Sequence, residues 1–138
     1  MKKIFLFFVS TLLFSILVHG VNEEHALLAT VSVNSVPGTL NVFPENLLVN
    51  APPLSEVKKT LTFSQESGNK DLNISLFLEI SPIKDWISFS ENNFIVTPLE
   101  TKDITAFIDI PNVATGAYSG NIHALTDIQD LLIPVNIT

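Results

Sequence analysis

The chain has 138 residues, 46% of them hydrophobic, and no Cys. That length fits one domain with a core of ordinary size. Without Cys no disulfide framework holds the fold, and the lipid-bearing Cys of a bacterial lipoprotein is missing. The formal net charge is −7; all seven basic residues are Lys, and two of them are Lys2 and Lys3, so beyond the first 20 residues five Lys face fourteen Asp and Glu, a net of −9. This balance excludes nucleic acid as a partner, because nothing neutralises phosphates, and it excludes attraction to an anionic membrane surface.

Residues 1–20 read as a secretory signal peptide. Lys2 and Lys3 open it, an apolar run from Ile4 to Val18 follows, and Val18-His19-Gly20 offers compact side chains before a cut after Gly20. The competing reading is an uncleaved anchor, the chain's one route to a membrane. The run of about 15 residues is short against the roughly 20 a spanning helix needs. Residues 21–36 form a lead-in segment or an extra strand: Leu27, Ala29, Val31 and Val33 alternate within Ala26–Val36. Such a strand would pack on its own sandwich or add to a neighbour's open edge.

From residue 37 to 138, period-2 alternation recurs and no amphipathic helix intervenes. The first runs are Thr39–Phe43, then Val57, Leu61 and Phe63 against Lys58, Thr60, Thr62 and Ser64. Leu72, Ile74, Leu76, Leu78 and Ile80 then alternate with Asn73, Ser75, Phe77 and Glu79. Trp86–Ser90 and Phe94–Thr97 are shorter strands; Ile104, Ala106, Ile108 and Ile110 give another long one. Tyr118–Leu125 and Ile133, Val135 and Ile137 complete the set. Pro37-Gly38, Pro52-Pro53, Ser67-Gly68-Asn69, Ser81-Pro82, Asn92-Asn93 and Thr115-Gly116 punctuate the runs. Seven to nine short strands separated by turns predict an all-β, antiparallel sandwich. Pro134 lacks a ladder donor, which places its strand at an edge or at a bulge.

Four segments resemble the immunoglobulin-like modules of bacterial and archaeal secreted and surface proteins, of BACON-like or cell-adhesion-related type. They are Leu40-Asn41-Val42-Phe43-Pro44, Asp85-Trp86-Ile87-Ser88-Phe89-Ser90, Ile110-Pro111 through Gly116-Ala117-Tyr118-Ser119-Gly120, and Ile133-Pro134-Val135-Asn136-Ile137. The resemblance implies an immunoglobulin-like sandwich serving as a spacer, adhesion unit or binding accessory. On the residues themselves, Gly116 supplies a positive φ for a tight turn and Gly120 permits a bulge or close packing. Trp86 and Tyr118 read as core aromatics, Tyr118 in the manner of a tyrosine corner.

No nucleophile–base arrangement, phosphate loop or zinc spacing is present, so an enzyme and a cofactor are not expected. His123 reads as a solvated surface residue. Asp127 and Asp130 flank a hairpin turn; turn preference accounts for them better than Ca²⁺ binding. Glu23-Glu24-His25 would make an amino-terminal copper tripeptide only after a cut at Asn22, which Asn in that position disfavours. Asn73-Ile74-Ser75 and Asn136-Ile137-Thr138 fit the N-glycosylation pattern with both Asn on outward faces. Phe77, Phe107, Leu125 and Leu132 stand in outward positions; gathered on one face they would form a partner-binding surface. The expectation is a secreted, non-enzymatic module at the cell surface that binds a protein or a glycan. The alternative is a structural subunit of a layer or fibre assembled by strand addition.

Overall fold

Alternating apolar residues can share a core only when two sheets turn their inward faces to one another. The computed structural model, which describes residues 12–20, 23–113 and 115–138, has that arrangement. The chain divides into two compact units, Met1–Val36 and Pro37–Thr138.

In the first unit β1 (Leu12–Gly20) pairs antiparallel with β2 (Glu23–Val31), from Leu12 opposite Val31 to Gly20 opposite Glu23. β2 thus covers Glu23–Val31 of the segment expected as a lead-in or an extra strand.

The second unit has nine described strands. These are β3 (Thr39–Phe43), β4 (Leu47–Val49), β5 (Ser55–Glu66), β6 (Leu72–Leu78), β7 (Ile87–Phe89), β8 (Asn93–Val96), β9 (Lys102–Ile110), β10 (Tyr118–Leu125) and β11 (Asp130–Ile137). A five-stranded sheet runs β4-β11-β10-β6-β8, and a four-stranded sheet runs β3-β5-β9-β7. All pairs are antiparallel except β4 with β11. The opening segment therefore serves both sheets. Its first half, β3, pairs with β5; past the cis Phe43–Pro44 bond its second half, β4, lies parallel to β11.

The inward sets are largely those the alternation predicts. Leu72, Ile74, Leu76 and Leu78 from β6 meet Ile104, Ala106, Ile108 and Ile110 from β9 in one buried cluster with Leu61, Phe63, Ile133, Val135 and Ile137. Ile80 departs from the pattern and is 93% exposed. The ladder closes with Glu79 N–H donating to Asn121 C=O, and the chain then bends away before Pro82. Ile83 is fully buried in its stead.

Three further expectations change. Trp86 ends a 3-10 turn, Lys84–Trp86, and does not lie in a strand. No described Gly has positive φ, so Gly116 does not supply one; Leu54, Ser67 and Leu99 take that conformation instead. Pro134 lies in an interior strand, yet opposite Asn121 and one residue before β4 pairing begins at Val135. Alternation of the antiparallel ladder turns its missing N–H away from β10, toward a flank that β4 does not reach.

Candidate functional site

The outward face of the five-stranded sheet gathers three of the four apolar positions singled out in the sequence. Register places Phe77 opposite His123 and His123 opposite Leu132, a row crossing β6, β10 and β11. Leu125 follows His123 by two residues on the same face. Phe77, Leu125 and Leu132 are 45%, 42% and 49% exposed. Phe107 does not join them. It lies on β9 in the other sheet, opposite Lys58 and Ser88, with the Lys58 ammonium 5.5 Å from its ring centroid. That ammonium shields the ring and supplies a cation–π contact.

His123, expected as a solvated residue, is the centre of the row. Its ring stacks on Phe77 at 4.7 Å between centroids and 8° between planes. Its Nδ1 lies 2.9 Å from Asp130 Oδ2, and its Nε2 lies 3.8 Å from Glu79 Oε2. Asn121 Nδ2 donates to Glu79 Oε1 at 2.8 Å, which fixes that carboxylate beside the row. A strand signal alone cannot reveal these contacts, because Phe77, Glu79 and Asp130 reach His123 only through the pairing of three strands. The two carboxylates approach opposite ring nitrogens and do not converge on one point. Among the described residues no group of three or more His, Asp or Glu could hold a metal.

The turn carboxylates face separate partners: Asp130 faces His123, and Asp127 lies 3.4 Å from the Lys70 ammonium. The Glu23-Glu24-His25 segment falls in β2, and its side chains lie outside the described ones. Asn73 and Asn136 are exposed on this same outward sheet face. Tyr118 and Trp86 are half-buried and pack ring to ring at 4.9 Å and 57°.

Two concavities flank the sheets. One, about 330 Å³, sits at the end of the sandwich and is lined by Ala51, Pro52, Ile110, Val113, Tyr118 and Ile137 among others, with no charged side chain among the described residues that line it. The other, about 490 Å³, opens beside Leu132, with Val42 and Leu131 in its wall and Glu45 and Glu66 at its sides.

No family model matches the sequence, and no curated protein matches it. Solved structures match the fold. A family 123 glycoside hydrolase from Clostridium perfringens is similar at TM-score 0.58 and 10% identity, over 72% of this chain and 26% of that one. The CsuC–CsuE chaperone–tip adhesion subunit complex of Acinetobacter baumannii pili gives 0.51 and 12%, over 72% of this chain and 56% of that one. The ASH/PapD-like domain of human CEP192 gives 0.52 and 11%, over 77% and 89%. This chain therefore spans about a quarter of the hydrolase and just over half of the matched pilus-complex chain. These likenesses are to immunoglobulin-like and PapD-like sandwiches, and they bear on the fold.

Proposed function

We infer that the chain is a secreted, non-enzymatic interaction module of immunoglobulin-like type that binds a partner at the cell surface. The observation that carries this is the row across β6, β10 and β11, in which Phe77, Leu125 and Leu132, each about half exposed, gather around His123 on one sheet. Outward faces of antiparallel sheets are ordinarily polar, so Phe77, Leu125 and Leu132 gathered around His123 mark a surface that is covered in use. Fold neighbours that include a chaperone–adhesion subunit complex support the reading. The leader reading supplies the location: mass spectrometry of the secreted protein should find Val21 as its first residue.

Retention of the labelled, secreted chain by the envelope of the producing cells tests the assignment. Phe77→Ala with Leu132→Asp should release it without a change in melting temperature. Retention indifferent to both substitutions, or abolished by Phe107→Ala instead, would sink the assignment to this face.

A further inference from the structure

We propose that the partner seated on this face is a cationic, amphipathic polypeptide segment, its aliphatic side chains on the Phe77–His123–Leu132 row and its Lys or Arg side chains directed to Glu79, Asp130 and the Leu132 cleft. The proposal rests on the docking-face reading above and adds the chemistry of the occupant. Charge distribution argues for it. Strands β4, β6, β8, β10 and β11 carry no Lys at all. The lysines on strands lie in the other sheet: Lys58 and Lys59 on β5, and Lys102 on β9. There Lys102 pairs with Glu91 at 2.7 Å, and Lys58 lies 3.7 Å from Glu56. The strands of the five-stranded sheet thus present no Lys beside the row, Glu79 and Asp130 flank it, and at the hairpin end Lys70 pairs with Asp127 at 3.4 Å.

The cleft beside Leu132 continues the acidic margin. Glu45 and Glu66 flank it, no Lys lines it, and about 490 Å³ is room for an extended Lys or Arg side chain with its hydration. Apolar stems would lie against Leu131 and Leu132 while the charged heads meet carboxylates, the usual division of a long cationic side chain. A second copy of this chain would bring the same carboxylates to face their equivalents, and like charges in register oppose docking. A neutral sugar would bring no counter-charge to the cleft carboxylates Glu45 and Glu66. A cationic segment satisfies both the apolar row and its margin.

The test uses the 15N-labelled secreted chain and three probes. These are a synthetic peptide alternating Leu and Lys, its counterpart alternating Leu and Glu, and a neutral cello-oligosaccharide. The Leu–Lys peptide should shift amide resonances of β6, β10 and β11 and of the Glu45–Glu66 cleft, and bind about tenfold or more tighter than the Leu–Glu peptide. Raising salt from about 50 to 200 mM should weaken it several-fold. Glu45→Gln and Glu66→Gln, both at exposed positions, should each weaken it about two- to fivefold. Leu132→Ser, which removes apolar surface without adding charge, should weaken both peptides. Equal binding of the two peptides would overturn the cationic partner while leaving the docking face in place. Shifts on this face with the oligosaccharide and not with the peptides would overturn the polypeptide assignment. Shifts confined to β7 and β9 or to the end groove would overturn the docking face itself.

Discussion

The side-chain amide of Gln129 takes the place of a missing strand beside Leu40. Leu40 N–H donates to Gln129 Oε1 at 3.0 Å, and Gln129 Nε2 donates to Leu40 C=O at 3.3 Å. β3 is an edge strand, so these backbone groups have no ladder partner on that side. The β10–β11 turn aims the amide: Thr126 Oγ1 accepts from Gln129 N–H at 2.9 Å, and Thr126 N–H donates to Gln129 C=O at 2.8 Å. A residue of the five-stranded sheet's hairpin thereby closes the margin of the opposite sheet.

Gln129→Leu keeps the size and removes both hydrogen bonds, leaving the part-buried Leu40 groups without partners. The cost should be about 1–3 kcal/mol, the usual penalty for orphaned backbone polar groups. Urea denaturation gives the value. An unchanged midpoint would mean that water replaces the amide without loss.

Sheet membership was beyond the sequence, while strand identity mostly was not. The inward sets of β6, β9 and β11 follow from period 2 because each strand has one buried face. β4 escaped notice because Leu47-Leu48-Val49 is three apolar residues with no polar alternation; only its pairing with β11 sorts Leu48 outward. The four candidate surface residues were visible as breaks in polar faces. Their neighbours were not, since the separation of Phe107 from Phe77 and Leu132 is a property of strand order. Alternation likewise could not show that Ile83 fills the place expected of Ile80, because a bend after Glu79 breaks the period.

Gly120 is a packing requirement. A Cβ there would stand 2.7 Å from Ser81 Oγ and 3.0 Å from Ile83 Cγ1. Ile83 is fully buried and has little room to yield. Gly120→Ala should therefore destabilise by about 1–3 kcal/mol, the range for overpacking. Adding Ile83→Val, which removes one methyl group near the clash, should recover part of that loss. Strict additivity of the two substitutions would show that they do not share the contact.

Leu99 adopts φ 66° and is fully exposed, so it carries a left-handed conformation with no burial in return. That conformation costs a residue with a Cβ roughly 1–2 kcal/mol, whereas Gly adopts it freely but loses about 0.5–1 kcal/mol through the flexibility of its unfolded chain. Leu99→Gly should be net stabilising by up to about 1 kcal/mol. Thermal melts should rise by a few degrees; a fall would indicate that the Leu99 side chain makes a contact of its own.

Trp86 and Tyr118 support each other at the margin of the core. Their rings meet in a tilted pair at 4.9 Å, and both are only partly buried. Trp86 N–H donates to Ile83 C=O at 3.0 Å, so the 3-10 turn that presents the indole also anchors the segment carrying buried Ile83. Full burial of a Trp would make truncation cost about 3–5 kcal/mol. Half-burial lowers the expected cost of Trp86→Ala to about 2–3 kcal/mol, in proportion to the apolar area removed from water. A double-mutant cycle with Tyr118→Ala should return a coupling of about 0.5–1.5 kcal/mol, the range for a tilted aromatic pair. Neither substitution should alter retention by the cell envelope, because Tyr118 faces the end groove and the docking row lies on the sheet's outer face. A Trp86→Ala chain that keeps its stability and loses its partner would transfer the binding site to the end of the sandwich.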